Sequence, residues 1–198
     1  MIGRSYRTAP KWSVNGKWAV MYDPIAQVWN KFDGATGKVV NISDAIGYPM
    51  FVESYDKPAP APAYGIAGWT ADGNNVFLYD AYDWWKIDLT GERQPECLTK
   101  GYGRKHGKSI RKMTSNIDKD VFQKDEKVIV SLWDKDTMDE GVYQLDMKGR
   151  LRKLMEGNYV YTIHRFSDNH EYCVWNRQNV SEFRDLWWSK SDFSNPVK

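Results

Sequence analysis

Short runs of alternating apolar and polar residues, rich in β-branched and aromatic side chains, recur along the chain between polar turns. The clearest copy begins at Asp72 and Gly73, continues into the strand-like run 76–79, and enters a second run that contains Trp84 and Trp85. Period-two alternation in runs this short predicts β-strands. No convincing amphipathic helix longer than two or three turns is visible in the sequence.

The same arrangement of turn, strand, loop and strand occurs four times. The polar turns start at Asn15, Asp72, Asp125 and Asp168, so the copies are 57, 53 and 43 residues apart. Periods of roughly 40–50 residues with two or more strands in each copy are typical of a β-propeller. One such sheet cannot bury its own apolar face, so function must be sought on the assembled sheets. We therefore predict an all-β chain of about four propeller blades.

Interruptions in the pattern predict the limits of each blade. The stretch 44–63 holds four prolines and cannot be a central strand, because proline lacks the N–H that the strand ladder needs. A basic, glycine-rich loop at 100–109 is a second interruption. Within a single domain, 1–198, the predicted blades are residues 10–43, 64–99, 110–156 and 159–198.

Aromatic side chains make up 15% of the sequence, and such large rings suit packing between pleated sheets. Two tryptophan pairs, Trp84 with Trp85 and Trp187 with Trp188, occupy matching positions in the second and fourth copies. Adjacent strand residues point to opposite faces, so we expect each pair to place one ring on either side of its blade. A surface that stacks sugars or peptides is the alternative.

Charge and cysteine content exclude some partners. The net charge of +2 is too small to indicate binding to a nucleic acid or a membrane, and no apolar run approaches the roughly 18 residues of a membrane-spanning helix. The first residues lack the apolar core of a signal peptide. This does not decide the compartment, so periplasm and cytoplasm both stay open. Cys97 and Cys173 match no metal or redox spacing, and Cys173 is expected to be a buried thiol, with a disulfide between the two as the alternative.

No catalytic nucleophile is predicted. No serine lies in the Gly-x-Ser-x-Gly pattern that lifts a hydroxyl above a sheet. The basic loop ends in Gly107, Lys108 and Ser109, as a phosphate-binding loop does. That motif also needs a glycine five residues before Gly107, and this position is Tyr102. We therefore expect no nucleotide cofactor.

Histidines match no standard metal site, and the carboxylate pairs have a simpler structural interpretation. His164, Asp168 and His170 match no standard ligand spacing, so we expect no metal. Asp80 and Asp83 lie between two strands, where acidic pairs usually cap backbone N–H groups. Other acidic pairs in loops are Asp134 with Asp136, and Asp139 with Glu140.

The densest charge cluster is the candidate binding site. Six cations and no acid fall within thirteen residues: Lys100, Arg104, Lys105, Lys108, Arg111 and Lys112. The cluster indicates either a site for an anion or a partner on the propeller face, or a solvated connector. The candidate binding residues are Arg104, Lys105, His106 and Arg111.

The second copy also carries a family resemblance. The relevant residues are 65–69 (Gly-Ile-Ala-Gly-Trp), the Asp72-Gly73 turn, the run from Val76 through Trp85 to Asp88, and Leu98, Thr99, Gly103 and Arg104. Over about 64–115 this segment resembles a blade from the N-terminal propeller of prolyl-oligopeptidase-family serine peptidases, in the manner of bacterial dipeptidyl- or acylaminoacyl-peptidase-like members. TolB-like and WD40-like propellers share the Asp-Gly turn and the Trp-x-x-Asp strand, and Trp84 stands where such blades more often carry an aliphatic residue.

The resemblance implies a role as well as a fold. In that family a propeller of seven or eight blades caps a catalytic α/β-hydrolase domain and filters peptide substrates by size. The catalytic domain has no counterpart in this sequence, so no triad residue is assigned and the chain alone is expected to be inactive. The expected partners are that catalytic domain and a peptide substrate. A stand-alone protein- or carbohydrate-binding module is one alternative, and a propeller hydrolase that uses loop carboxylates is another.

The resemblance also implies open edges. A part of a larger ring would leave apolar faces uncovered on its first and last blades, so we expect self-association. The side chains expected on those faces include some of Trp18, Trp29, Trp175 and Trp187.

Overall fold

A computed structural model describes residues 9–115 and 119–198 of the chain. This part contains four β-sheets. The chain divides into two compact units, of which the first comprises 1–100 with 120–124 and the second comprises 101–119 with 125–198. Each unit contains two of the sheets. In the described residues, no helix has the length and apolar character needed to cross a membrane.

The first unit contains two sheets whose strands follow chain order with one exception. The first sheet is β1 (Lys11–Trp12), β2 (Trp18–Asp23), β3 (Val28–Asp33) and β4 (Val39–Asn41), all antiparallel. The second is β5 (Ile66–Thr70), β6 (Asn75–Tyr79), β7 (Trp84–Asp88) and β8 (Glu96–Cys97), with β10 (Val121–Phe122) added beside β5.

Strand β10 is where the structure differs from the predicted blades. The predicted third blade, 110–156, includes residues 121–122, but they pair in parallel with β5 of the second sheet. The amide of Trp69 donates to the carbonyl of Asp120 at 2.7 Å, and that of Ala71 donates to Phe122 at 3.0 Å. Gly68 allows this approach, because a Cβ there would lie 2.6 Å from the Phe122 ring. Two-residue strands added from a distant segment leave no periodic pattern in the sequence.

The core of the first unit forms between its two sheets. Buried members of the first sheet, such as Val20 and Trp29, pack in one cluster with members of the second, such as Leu78 and Trp85. Trp84 is fully buried on the opposite face, against the ring of Phe77 and others. The predicted division of the Trp84–Trp85 pair between two faces is therefore confirmed.

The proline-rich connector 44–63 packs against this core. It opens with a 3₁₀-helix, Asp44–Ile46, and Ile46 and Met50 belong to the buried cluster. Later it runs extended, with an isolated bridge between Phe51 and Ala63 and a hydrogen bond from the Tyr22 hydroxyl to the Ala61 carbonyl at 3.1 Å. These contacts need few backbone N–H donors from the connector itself. Its prolines, which have no N–H, are therefore compatible with them.

The second unit contains the third and fourth sheets. The third sheet has the order β13 (Leu151–Gly157), β12 (Glu140–Asp146), β11 (Lys127–Asp134) and β9 (Lys108–Lys112). The fourth is β14 (Val160–Phe166), β15 (Tyr172–Gln178) and β16 (Asp185–Lys190). A one-turn helix, α1 (Tyr102–Lys105), precedes β9.

The core of the second unit joins its two sheets. Val142 of the third sheet is fully buried against a cluster from the fourth that includes Ile163, Cys173 and Trp175. The Glu140 carboxylate on β12 accepts a 2.7 Å hydrogen bond from the amide of Tyr161 on β14. Cys173 is 1% exposed, and both cysteines are free thiols, so the disulfide alternative is wrong.

A recurring turn joins the first two strands of three sheets. In each, a serine or threonine hydroxyl donates to the Asx side chain two residues later, and that Asx oxygen accepts the amide two residues further on. The pairs are Ser13 with Asn15, Thr70 with Asp72, and Ser167 with Asn169. The fourth polar turn is thus centred on Asn169, one residue after the predicted Asp168. In the third sheet the long path through β10 replaces this turn.

Candidate functional site

The basic segment is partly ordered into regular structure. We predicted a loop over 100–109, but residues 102–105 form α1 and Lys108 already begins β9. Gly101 precedes the helix at φ 71°, a left-handed conformation that glycine adopts without strain. The helix closes where the amide of His106 donates to the carbonyl of Tyr102 at 3.1 Å. The segment is therefore a helical turn that leads directly into a strand.

The four candidate binding residues lie on different elements. Arg104 and Lys105 belong to α1, His106 follows it with its ring 4.4 Å from that of Tyr102, and Arg111 lies within β9. Lys105 and His106 are exposed, whereas Arg104 and Arg111 are partly buried. The Arg111 guanidinium donates to the carbonyl of Ile110 at 2.8 Å. Their joint action as an anion or partner site stays a prediction.

The positive charge of Lys108 is compensated by an acidic residue that is distant in sequence. Its ammonium lies 2.7 Å from the Glu156 carboxylate, which also accepts from the Tyr143 hydroxyl at 3.1 Å. The hydrogen bond to Glu156 raises the pKa of Lys108, and the same bond lowers the pKa of Glu156. Burial raises the pKa of Tyr143 well above its usual range. This network ties the first and last strands of the third sheet together, so the cluster is less cationic than its sequence indicates.

The geometry around Gly107 excludes a phosphate-binding loop. In that motif a glycine-rich loop is followed by a helix whose N-terminal amides face the phosphate. Here the order is reversed, since α1 comes before Gly107 while Lys108 and Ser109 belong to β9. Ser109 is buried.

The acidic pair between β6 and β7 has a structural role. Asp80 accepts the amides of Tyr82 and Asp83 at 2.7 and 2.6 Å, and its other oxygen accepts the indole N–H of Trp85 at 3.0 Å. Asp83 accepts the Thr99 hydroxyl at 2.6 Å. Both carboxylates are at most 1% exposed. The expected capping of backbone N–H groups is confirmed for Asp80, and both carboxylates are shielded from solvent.

The histidines of the fourth sheet are spread over its strands and turns. His164 on β14 lies 2.6 Å from the Asn176 amide nitrogen, and His170 lies in the turn before β15 at φ 58°. Over residues 9–115 and 119–198, no three His, Cys, Asp or Glu side chains cluster as metal ligands would.

One face of the fourth sheet presents apolar side chains to solvent. We call it the open strip, and its members are Tyr172, Val174, Leu186 and Trp188, which are 37–64% exposed. Their positions in the β15–β16 pairing alternate with those of buried Cys173 and Trp175. The rings of Tyr172 and Trp188 lie 5.8 Å apart.

Of the four tryptophans expected on uncovered faces, two are buried and two are partly exposed. Trp29 and Trp175 are 4% and 2% exposed, and Trp18 and Trp187 are partly buried. Trp187 stacks on Trp175 at 5.6 Å, so its neighbour Trp188 faces solvent. Val174 alternates with buried Cys173 along β15, and Trp188 is the cross-strand partner of Val174. Both positions follow from the alternation once the buried face of the sheet is known.

The loop between β15 and β16 also presents apolar side chains to solvent. Val180 and Phe183 are 104% and 89% exposed. Hydrogen bonds close the loop that holds them, since Asn179 accepts the amides of Ser181 and Glu182 at 2.9 and 2.7 Å. Glu182 in turn accepts the Tyr159 hydroxyl at 2.9 Å and Arg177 Nε at 3.2 Å.

Comparison with known proteins gives structural matches alone. No protein-family model and no curated protein matches the chain. The chain is similar to TolB from Acinetobacter baumannii, with 15% identity, a TM-score of 0.50, and coverage of 96% of this chain and 42% of that one. An acylaminoacyl peptidase in complex with Z-Gly-Gly-Phe-chloromethyl ketone matches with 12% identity, a TM-score of 0.44, and coverage of 91% and 25%. The β-propeller domain of the Trilobed protease from Pyrococcus furiosus matches with 11% identity, a TM-score of 0.37, and coverage of 91% and 66%.

The TolB match identifies the architecture and leaves the activity open. The chain spans 42% of the TolB chain that it resembles, and at 15% identity a shared fold does not carry function. Four sheets of three to five strands, almost entirely antiparallel, agree with that match. The chain has the predicted all-β, β-propeller fold.

Proposed function

We propose that this chain is a non-catalytic propeller segment that docks through its fourth sheet and limits access to an active site supplied by an α/β-hydrolase domain. The observation that carries the proposal is the open strip, together with the exposed loop residues Val180 and Phe183. The blade sequence 64–115, which resembles prolyl-oligopeptidase-family propellers, supports a serine peptidase as the parent enzyme.

The open strip has the composition of a docking surface. Contiguous exposed apolar side chains usually mark an interaction site. Trp and Tyr anchors with a polar rim are typical of the centre of a protein interface. Trp188 and Tyr172 provide such anchors, and Lys190 and Arg165 lie exposed at the margin of the same sheet.

The role is mechanical because the described residues offer no catalytic set. The buried carboxylates Asp80 and Asp83 are committed to backbone and hydroxyl donors, and the sequence has no nucleophile elbow. Both sheet pairs enclose well-packed buried clusters. Close-packed sheets deform little, which supports a role in limiting the passage of large substrates.

A serine-reactive probe and a peptide-size assay test the proposal. The chain itself should not be labelled by a fluorophosphonate, and stoichiometric labelling of one serine would overturn the proposal. In the full-length gene product, Trp188→Lys should loosen the docked propeller and raise hydrolysis of long peptides relative to short ones. Trp133→Lys is the matched control, because Trp133 is also partly exposed, at 37%, but lies in the third sheet. Equal size selectivity in the Trp188→Lys variant and the natural protein, or a gene product without an α/β-hydrolase domain, would contradict the assignment.

A further inference from the structure

An aromatic groove lies at one end of the first sheet. A cavity of about 540 Å³ opens where the β1–β2 turn meets the end of β3. The lining residues that matter here are Trp12, Lys17, Trp18, Asp33 and Gly34. All of them belong to the first unit, well apart in sequence from the open strip.

Trp12 supplies an exposed ring that packs against a neighbouring aromatic side chain. Its side chain is 55% exposed. Phe32 packs against it edge-on, with ring centroids 6.4 Å apart and an interplanar angle of 87°. Gly34 keeps the space beside the ring open, because a Cβ there would lie 3.7 Å from the Trp12 ring and 3.1 Å from the Lys17 carbonyl. The sheet thus holds an aromatic platform facing water.

Polar groups of opposite charge line the same groove. Asp33 accepts the amides of Ala35 and Thr36 at 2.9 and 3.1 Å, and both bonds reach Oδ1. These bonds lower the pKa of Asp33, so the carboxylate is ionised at neutral pH. The Lys17 ammonium lies 6.0 Å from the centre of the Trp18 ring. A carboxylate acceptor and an ammonium donor therefore line the same groove as the Trp12 indole.

We propose that this groove binds a neutral saccharide. The C–H-rich face of a pyranose is apolar and stacks on an indole, while its hydroxyls both donate and accept hydrogen bonds. Trp12 offers the ring, Asp33 accepts, and Lys17 donates. The opposite charges nearly cancel, so neither a strongly anionic nor a strongly cationic ligand is favoured over a neutral one. The volume falls in the range of about 300–1,000 Å³ found for small-molecule sites.

The site is independent of the docking role proposed for the fourth sheet. A saccharide bound at the first sheet would anchor the chain to a glycan without changing the open strip. Failure of one proposal therefore leaves the other standing.

Calorimetric titration with a panel of neutral tetrasaccharides tests the site. The probes are the β-glucan, α-glucan, xylan, mannan and N-acetylglucosamine tetramers. We expect at least one to bind with a Kd between about 10 μM and 1 mM. Binding should perturb the Trp12 indole N–H resonance in a ¹⁵N spectrum. Trp12→Ala and Asp33→Asn should each weaken it roughly tenfold or more, a loss of about 1.4 kcal/mol.

Trp188→Ala is the matched control, since it removes another half-exposed tryptophan outside the groove. It should bind the saccharide with unchanged affinity. Thermal unfolding of each variant separates lost binding from lost folding, and Trp12→Phe, which keeps a ring, should retain most of the affinity. The proposal is overturned if no panel member binds at about 10 mM, if affinity survives Trp12→Ala, or if a proline-rich peptide rather than a saccharide shifts the Trp12 resonance.

Discussion

The side-chain amide of Asn15 donates a 2.9 Å hydrogen bond to the backbone carbonyl of Asp72 and so joins the equivalent turns of the first two sheets. The Oδ1 atom of the same side chain accepts the amide of Lys17 and the hydroxyl of Ser13 within its own turn. The fit is close, because a Cβ on Gly73 would lie 2.7 Å from Asn15. One residue therefore caps its own turn and clamps the neighbouring sheet.

Asn15→Asp should separate these two functions. Aspartate keeps the acceptor for the local turn but loses the donor and brings a carboxylate towards the Asp72 carbonyl, so we expect a loss of about 1 kcal/mol in unfolding free energy. Asn169→Asp is the matched control, because Asn169 forms the same turn in the fourth sheet through its oxygen. That control should change stability by less than about 0.5 kcal/mol. Urea denaturation measures both, and equal effects would contradict the clamp.

Sequence patterns identified the turns and strands of the first, second and fourth sheets because those features are local. An Asx side chain that caps its own turn is specified within five residues, as at Asn15 and Asp72. Strand β10 is specified by a partner some fifty residues away and by a missing side chain at Gly68. No local pattern encodes that combination, so the predicted third blade wrongly includes residues that belong to the second sheet.

Gly68→Ala should displace β10. Its Cβ would lie 2.6 Å from the Phe122 ring and 2.8 Å from the Asp120 carbonyl, and we expect a cost of roughly 1–3 kcal/mol from this overpacking. The amides of Trp69 and Ala71, which donate into this segment, should exchange hydrogen faster. Gly91→Ala is the control, since Gly91 also has a positive φ, 85°, but nothing within 4 Å. Backbone strain alone should lower the unfolding free energy of the Gly91→Ala variant by about 1 kcal/mol. Unchanged exchange in the Gly68 variant would refute the steric account.

Trp85→Ala and Trp188→Ala should differ sharply, although the two residues match in sequence. Trp85 is 9% exposed, packs in the first unit's core and donates to Asp80 at 3.0 Å. Its removal should cost roughly 3–5 kcal/mol. Trp188 is 49% exposed on the open strip, so its removal should cost less than about 1 kcal/mol. Thermal and chemical denaturation give both values. Similar losses would mean that Trp188 is covered in solution, as in the symmetric packing expected from the sequence.

The candidate site was less predictable than the fold, because charge compensation is a tertiary property. The basic cluster contains no acid between residues 100 and 112, yet Lys108 pairs with Glu156, 48 residues later. Similarly, the sequence shows that Trp187 and Trp188 face opposite sides but not which side another sheet covers. Stacking on Trp175 places Trp187 inward and leaves Trp188 in solvent.

Alkaline pH should destabilise the first unit through Tyr22. Burial, with a smaller contribution from the charge of Asp23, raises the pKa of Tyr22 to about 12. An unfolded tyrosine ionises near pH 10, so the unfolded state releases its proton first. Stability from this group is complete below about pH 10 and is lost towards about pH 12, by roughly 1.4 kcal/mol per pH unit.

Tyr22→Phe isolates that contribution. The variant loses the hydrogen bond to Ala61 at every pH, a constant offset of about 1 kcal/mol. Its stability should also fall less steeply between about pH 10 and 12 than that of the natural protein. Urea titrations across this range measure the slope. Parallel curves for the two proteins would show that Tyr22 is not the group responsible.

The open strip should make the isolated chain self-associate. Tyr172, Val174, Leu186 and Trp188 form one apolar face, and a second copy offers an identical face that can cover it about a two-fold axis. Light scattering should therefore show dimers at micromolar concentration. Leu186→Lys with Trp188→Lys should give monomers because it places like charges against each other, whereas Trp133→Lys in the third sheet should not. A monodisperse natural protein of monomer mass would mean that another segment covers the strip in solution, and the docking role proposed for the fourth sheet would lose its main support.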